Sequence, residues 1–399
     1  MKGEIANVYI HLGNEKYVAG DYQGAIADFT QAISLKPDFA EAYSNRGSAK
    51  SALGDIQGAM ADYNETIRLM PDNPFAYYNR GNAKKDSEDY QGAIADFNEA
   101  IRLKPDYAEA YNNRGLAKDG LGDYQGAIAD YTETIRLKPN DAVAYFNRGN
   151  AKSVLRDYRG AIADFSEAIR LKPDNAKAYH NRGLAKDGLG DYQGAITDYT
   201  QAVRFKPDYA EAYSNRGTAK HILGDYQGAI ADYTEAIILK PDCAEIYYNR
   251  GLAKDVLGDK EGAIADFSQF IQLKPDFAEA YSFRGIAKAD LGDYQGAITD
   301  FNEAIRLKPD YPEAYNDRGY VKYRSGDKEG AIADFSEAIR LKPNLAEAYC
   351  NRGSVKSELG DEQGAITDLK QAAKLFQQQG KLEPYNKTLE LIKSLEGEK

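Results

Sequence analysis

The sequence predicts an all-α fold, a right-handed α-solenoid superhelix built from repeated helix–turn–helix units. Three observations support this prediction. Ten prolines follow one another at equal intervals: Pro37, Pro71, Pro105, Pro139, Pro173, Pro207, Pro241, Pro275, Pro309 and Pro343. Apolar and small residues recur at helical spacing within each interval, and a pair such as Gly122-Asp123 separates two helical stretches. A fixed period of this length indicates that one supersecondary unit is copied and stacked, so that each copy contacts mainly its neighbours.

The sequence pattern within each copy predicts two helices. We number its columns with Ala40 at column 1, so that the prolines fall at column 32. Columns 1–14 predict the first helix, as in residues 108–121. Gly122 and Asp123 then separate it from the second helix, because Asp is a favoured N-cap residue. The second helix ends before Pro139, since proline disfavours the helical conformation of the residue that precedes it. Each copy is therefore an antiparallel helix pair, about 21 Å long.

The C-terminal end of the chain differs from the copies. We expect eleven units of about 34 residues each within residues 1–377, the first starting near residue 4, and a capping helix and tail in residues 378–399. Gln377 replaces the proline of the eleventh copy, so its second helix extends towards Gly380. An apolar stripe follows, formed by Leu382, Tyr385, Leu389, Ile392 and Leu395. Such a helix would cover the last apolar face, as solenoids require. A partner-docking helix is the alternative.

Small residues are invariant at three columns. Column 8 is Gly and column 20 is Ala in all eleven copies. A glycine inside a helix costs about 1 kcal/mol relative to alanine. We therefore expect the two helices to approach too closely at column 8 for a larger side chain. Column 19 is also Gly in every copy, and the sequence offers no explanation for it.

The recurring pattern Tyr, Gly, Gly-Asp-Tyr, Ala, Tyr or Phe, Ala and Pro, with its fixed period, resembles the tetratricopeptide repeat (TPR) family. The resemblance covers nearly the whole chain, and it implies a concave groove lined by the first helices. Two columns depart from the family pattern. Column 7, usually Leu, is Arg in ten copies, and column 11, usually Tyr, is Lys in all eleven.

The arginine column has a possible partner, because column 23 is Asp in every copy. The first copy has Leu12 in place of the arginine and yet keeps Asp28. If each arginine paired within its own copy, Asp28 would lack a partner. The sequence therefore predicts that each Asp pairs with the arginine of the following copy, as Asp28 would with Arg46, which would fix the register between copies. The next pair in this series is Asp62–Arg80. The alternative is that both columns are solvated.

Column 6 holds the first set of predicted binding residues. It is Asn in eight copies: Asn45, Asn79, Asn113, Asn147, Asn181, Asn215, Asn249 and Asn351. The other copies have His11, Phe283 and Asp317. A side-chain amide offers both a donor and an acceptor, so a row of amides can hold the backbone of an extended peptide. The row resembles the asparagine ladder in the TPR superhelix of O-GlcNAc transferase, and the resemblance implies the same role here. The alternative is asparagine tolerated on a polar helix face.

A second set of predicted binding residues lies in copies 8–10. Columns 5, 9, 12 and 13 vary most between copies, and the TPR resemblance implies that they line the groove and select the partner. In copies 8–10 the groove columns carry aromatic residues beside an arginine: Tyr248, Phe283, Tyr320, Tyr323 and Arg324. Such residues are typical binding anchors, so they predict a side-chain pocket. Repacking around Phe270, which replaces a small residue at column 27, is the alternative.

Composition argues against several other functions. The net charge of −11 disfavours nucleic-acid binding, and no apolar run is long enough to span a membrane or direct secretion. Cys243 and Cys350 lie too far apart in sequence for a disulfide framework or a zinc motif, which favours a reducing, cytoplasmic location. The three histidines lack metal-ligand spacing, and the carboxylates recur with the period. We expect no metal, no cofactor and no catalytic site.

The sequence thus predicts a non-catalytic scaffold or adaptor that binds extended polypeptide segments in a concave groove, with a protein or peptide partner. Lys85 and Lys177 are isolated in the groove columns, so the carboxylate clamp of chaperone-binding TPR domains is not expected. Two alternatives stay open. One is a structural solenoid that self-associates through its ends, and the other is the regulatory arm of an enzyme outside this chain.

Overall fold

A computed structural model describes residues 2–397, which form 23 α-helices and no β-strand. Packing divides the chain into two compact units, Met1–Pro207 and Asp208–Lys399, which we describe in turn. Within each unit, consecutive helices pack against each other in chain order. The predicted all-α solenoid fold is confirmed. Among the described residues, no helix combines the length and the apolar character needed to cross a bilayer.

The first unit contains six helix pairs. Its helices are α1 (Lys2–Val18), α2 (Tyr22–Leu35), α3 (Ala40–Ala52), α4 (Ile56–Leu69), α5 (Pro74–Asp86), α6 (Tyr90–Leu103), α7 (Ala108–Gly120), α8 (Tyr124–Leu137), α9 (Ala142–Val154), α10 (Tyr158–Leu171), α11 (Ala176–Asp187) and α12 (Tyr192–Phe205).

The second unit contains five helix pairs and one further helix. Its helices are α13 (Ala210–Ile222), α14 (Tyr226–Leu239), α15 (Ala244–Val256), α16 (Lys260–Leu273), α17 (Ala278–Asp290), α18 (Tyr294–Leu307), α19 (Pro312–Arg324), α20 (Lys328–Leu341), α21 (Ala346–Glu358), α22 (Glu362–Gln378) and α23 (Leu382–Gly397).

The turn between the two helices of a copy explains the invariant glycine at column 19. In the fourth copy, Gly122 has a φ of 78°, which glycine adopts without strain. The Asp123 carboxylate then caps α8 by accepting the Gly126 N–H at 2.9 Å. A Cβ on Gly126 would lie 2.1 Å from the Asp123 Oδ2. Column 19 is therefore glycine because the capping carboxylate occupies that space.

The apolar core is distributed over the copies, as the repeat predicts. Ala127 and Tyr131 of the fourth copy pack against Ala151 of the next, and all three are buried. The Tyr131 ring lies against Gly115 of its own copy, where a Cβ would stand 2.7 Å from the ring Cε1. The predicted close approach at column 8 is confirmed, and the aromatic residue at column 24 is its cause.

We expect Gly115→Ala to lower the free energy of unfolding by about 1 kcal/mol, because overpacking outweighs the gain in helix propensity. Overpacking against Tyr131 costs about 1–3 kcal/mol, and the better helix propensity of alanine returns about 1 kcal/mol. Urea denaturation followed by circular dichroism measures the difference. Gly3→Ala is the control, because a Cβ there meets no atom within 4 Å. Equal stabilisation by both substitutions would contradict the packing explanation.

The last helix covers α22. Because Gln377 replaces the proline, α22 extends to 17 residues. Helix α23 packs against it through Ile392, which is buried beside Leu369 and Ala373. Tyr385, Leu389 and Leu395 of the expected stripe pack there too. Leu382 does not, since it opens the helix and is 68% exposed. The division at residue 377 into repeats and cap stays a prediction.

Candidate functional site

Each Asp at column 23 from the second copy onwards is bound by two cations of its own copy. In the fourth copy, Arg114 donates to Asp130 through Nε at 2.9 Å and Nη2 at 2.6 Å. Lys118 Nζ lies 2.8 Å from Oδ2 of the same carboxylate, the oxygen that also accepts from Arg114 Nε. The carboxylate is almost fully buried, whereas the two cations are 17% and 20% exposed.

The predicted pairing of each Asp with the arginine of the following copy is therefore wrong: Arg46 binds Asp62, and Arg80 binds Asp96. The physical reason is that columns 7 and 11 lie one helical turn apart and face the second helix of the same copy. Asp28, in the copy with Leu12, binds Lys16 at 2.7 Å. The lysine column thus supplies the partner that the sequence argument lacked.

The arginine does join neighbouring copies, although through a different acceptor. Its remaining terminal nitrogen, Nη1, donates to the side chain at column 25 of the preceding copy. In the first unit these pairs include Arg114–Asn98 at 2.6 Å, Arg148–Thr132 at 3.1 Å and Arg182–Ser166 at 3.0 Å. One guanidinium therefore bonds a carboxylate within its copy and a neutral acceptor in the copy before it.

The predicted asparagines lie on the first helices and are all partly exposed. Three of them, in alternate copies of the first unit, donate a side-chain N–H to the asparagine at column 9 of the preceding copy: Asn45 to Asn14 at 2.9 Å, Asn113 to Asn82 at 2.8 Å and Asn181 to Asn150 at 2.8 Å. Part of the asparagine row thus consists of amide pairs that join neighbouring copies. The sequence argument missed these pairs, although asparagine at column 9 of the preceding copy indicates where they form.

The other asparagines have different surroundings. Asn147 and Asn351 donate to column 5 of the preceding copy: to Asn112 at 3.3 Å and to Asn316 at 3.0 Å. Asn79 lines a cavity together with Asn82 and Asn113. Asn215 and Asn249 lie at column 6 of helices α13 and α15 in the second unit. An amide has two N–H donors and an acceptor oxygen, so the single donated bonds of Asn147 and Asn351 leave capacity for a ligand. The Asn113 amide donates to both Tyr78 and Asn82, so what it keeps for a ligand is acceptor capacity.

Three cavities lie along the first helices of the first unit. The first, about 160 Å³, is lined by Asn14, Tyr17, Phe29, Asn45 and Ser48. The second, about 440 Å³, includes Ser51, Asn79, Asn82, Lys85, Asp86 and Asn113 in its lining. The third, also about 440 Å³, is lined by Asn150, Ser153, Val154, Tyr158, Asn181, Leu184 and Ala185. Columns 6, 9, 12 and 13 supply most of these residues. We call this surface the asparagine face.

Column 5 contributes to packing between copies. Tyr78 packs against the buried Phe97 of its own copy and against a cluster that includes Ala110 of the next. Phe146 packs in the same way against Phe165 and against a cluster that includes Ala178 of the next copy. His180 at the same column is itself buried. The variation at this column therefore reflects how copies pack against each other.

Two of the predicted aromatic anchors belong to a cluster in the second unit. The Tyr248 ring centroid lies 5.2 Å from that of Phe270 and 5.9 Å from that of Phe283. Phe283 in turn stacks on Phe267 at 6.0 Å, and Phe270 is only 4% exposed. Burial raises the pKa of Tyr248 to about 12. These contacts agree with repacking around Phe270, the alternative to a binding pocket.

The other three predicted residues form a separate group at the end of α19. Arg324 Nη1 donates to the Tyr320 hydroxyl at 3.0 Å, and its guanidinium lies 5.9 Å from the Tyr294 ring. Tyr323 donates its hydroxyl to Glu358 of the next copy. The structure thus places the five aromatic and arginine residues in two groups, and the single side-chain pocket stays a prediction.

A second polar feature was missed by sequence reasoning. The buried Tyr131 donates its hydroxyl to Asp119 at 2.5 Å, and Tyr199 does the same to Asp187 at 2.5 Å. Burial raises the pKa of both carboxyl groups, although the tyrosine bonds oppose this. The signal was Tyr instead of Phe at column 24, combined with Asp at column 12.

Within the part of the chain that the structure describes, metal-ligating side chains are scattered. Cys243 and Cys350 are free thiols. Residues 2–397 contain no group of three or more acidic, histidine or cysteine side chains arranged to hold a metal.

Fold and site define a helical-repeat protein that presents a polar face built from its first helices. A family model described as "TPR repeat" matches residues 13–54, 49–87, 81–119, 157–187, 189–222, 217–254, 285–326 and 321–360. Models described as "Tetratricopeptide repeat" match residues 108–141, 244–277 and 346–379. The chain belongs to the tetratricopeptide repeat family, whose members serve in general as non-catalytic scaffolds for protein interactions.

Several solved structures are similar to the chain. MamA is 27% identical, with 41% of this chain and 96% of MamA covered at a TM-score of 0.40. YrrB, described as a TPR protein with an unusual peptide-binding site, is 24% identical, with 46% and 95% covered at 0.42. A tetratricopeptide repeat protein from Parabacteroides merdae is 23% identical, with 62% and 98% covered at 0.47. No curated protein matches the sequence.

Proposed function

We propose that the protein is a non-catalytic scaffold that binds extended polypeptide segments along the asparagine face. The observation that carries this proposal is the repeated amide pair, Asn45–Asn14, Asn113–Asn82 and Asn181–Asn150, beside cavities on the same face. Amides recognise the donors and acceptors of a peptide backbone whatever its side chains. The family, which is one of interaction scaffolds, supports the same proposal.

The amide pairs refine how such a ladder would work. Each pair fixes the orientation of its asparagines before a ligand binds, which lowers the conformational entropy lost on binding. Because the pairs occur in alternate copies of the first unit, we expect the strongest backbone contacts to recur every second copy. Columns 9, 12 and 13 differ between copies and would select the side chains of the segment. Many modest contacts along one array would then add to a useful affinity.

The cysteines and the net charge bear on the compartment and on the kind of partner. Two free thiols and no disulfide framework favour a reducing compartment, and we propose the cytoplasm. The net charge of −11 favours a protein partner over nucleic acid, because phosphate binding depends on clustered cations.

The test compares two fourfold variants with the unmodified chain in capturing peptides from a random library. The first variant replaces Asn45, Asn113, Asn147 and Asn181 of the first unit with Ala. The second is a matched control that replaces four exposed amides on second helices of the same unit, Gln57, Gln91, Gln125 and Gln193, with Ala. A hydrogen bond contributes about 0.5–1.5 kcal/mol, so we expect the asparagine variant to lose at least about tenfold in affinity. The control should bind as the unmodified chain does. Equal affinity of all three folded proteins would reject the asparagine face as the binding surface.

A further inference from the structure

Asp317 lies in a cavity of about 430 Å³ in the second unit. It occupies column 6 of the tenth copy, where eight other copies carry asparagine. The cavity is also lined by Glu313 and Asn316 of α19, Glu347 of α21, and Lys342 and Lys381, which follow α20 and α22. Side chains from four successive chain segments thus enclose a carboxylate at a position of the asparagine column.

The other charges of this cavity pair with one another. Lys342 Nζ lies 2.7 Å from Glu313 Oε1, and Lys381 Nζ lies 2.6 Å from Glu347 Oε1. The lysines hold the pKa of both glutamates below the ordinary value even though burial acts in the opposite direction. The two pairs are therefore neutral overall and take no further cation.

Asp317 is the uncompensated charge. Among residues 2–397 its one recorded bond is a neutral one, from the Asn316 side-chain amide at 3.2 Å. Asn316 is fixed in turn by the amide of Asn351, which donates to it at 3.0 Å. Burial raises the pKa of Asp317 to about 6, with the charge of Glu313 adding to the effect, so the carboxylate is ionised at neutral pH without a counterion.

We propose that this cavity receives the cationic end of a lysine or arginine side chain carried by the bound polypeptide segment, with Asp317 as its counterion. The cavity is large enough for such a side chain. Apart from Leu345, its lining residues are polar, and their charges balance except at Asp317. This site rests on the proposed function and adds a partner class to it: polypeptide segments with a basic side chain that enters this cavity of the second unit.

The first test uses small probes and does not depend on segment binding. Carbon-13 NMR follows the Asp317 carboxyl group and the Leu345 methyl groups during titration with butylammonium, butylguanidinium and neutral butanol. We expect saturable shifts with both cations and none with butanol. Binding should weaken about tenfold from pH 7.5 to pH 5, because about one-tenth of a group with a pKa near 6 is ionised at pH 5. Asp317→Asn restores the residue of eight other copies, so it should fold and lose the cation response.

Cation binding that is absent, or equal in the Asp317→Asn variant, would overturn the proposal. A second test uses the random peptide library. The unmodified chain should enrich lysine or arginine at one position, and Asp317→Asn should abolish this enrichment while capture by the asparagine face continues. Capture without any basic enrichment rejects the Asp317 site alone, whereas no capture by the unmodified chain rejects the proposed function.

Discussion

Asp130→Asn is expected to lower the free energy of unfolding by about 3 kcal/mol, since removing one partner of a buried ion pair leaves the remaining charges uncompensated. Arg114 and Lys118 would both lose their counterion while still directed at a buried position. We take the low end of the known range because the two cations are partly exposed. Urea denaturation at neutral pH measures the change.

The matched control is Glu133→Gln on the same helix. Glu133 pairs with Arg136 at the surface, where an ion pair contributes little to stability because water screens both charges. A loss for Asp130→Asn no larger than that of the control would show that the buried Asp is not the anchor of its copy.

Asp317→Asn is expected to have the opposite effect and to stabilise the protein by about 2 kcal/mol at pH 7.5, because it removes a buried charge that has no counterion. Burial raises the pKa of Asp317 from 3.8 to about 6, so the folded state binds a proton more tightly than the unfolded state. Ionisation therefore favours unfolding, and the cost increases as the pH rises from 3.8 to about 6. The full shift corresponds to about 3 kcal/mol, which we reduce because the cavity admits solvent.

Denaturation at several pH values tests this sign. The stabilisation by Asp317→Asn should fall to about 1 kcal/mol at pH 5, because Asp317 is then mostly protonated in the folded state and the unmodified chain carries less of the buried charge. Glu337→Gln in the same unit is the control. Its pKa lies below the ordinary 4.5, because Arg340 bonds the carboxylate, so its effect should not change between pH 5 and 7.5. A gain for Asp317→Asn that does not depend on pH would contradict a raised pKa.

Local signals were enough to predict the fold. Asp123 caps α8 and Pro139 follows its end, and both act on residues only a few positions away. The same reasoning could identify the asparagine column. It could not predict which neighbour each amide bonds, because Asn113 reaches Asn82 only through the rotation between successive copies, and that rotation depends on the packing of many side chains.

The ion-pair prediction failed for a related reason. It assigned Asp28 a partner by elimination among arginines, and it left the lysine column without a role. Lys16 and Asp28 lie on adjacent helices of one copy. To predict this pair one must know which faces of the two helices meet, and a count of charges does not give that. The role of glycine at column 19 could not be predicted from the sequence either, because it depends on the position of one carboxylate oxygen of Asp123.

The neutral acceptor at column 25 makes the copies interchangeable. Asn98, Thr132 and Ser166 each offer an oxygen to the arginine of the following copy, so the joint depends on an acceptor at that place and not on one residue type. Loss of residues 108–141 would bring Asn98 opposite Arg148 in place of Thr132, with the same kind of bond. Duplication or deletion of whole repeats can therefore change the number of copies, while the arginine of each following copy still meets an acceptor in the copy before it.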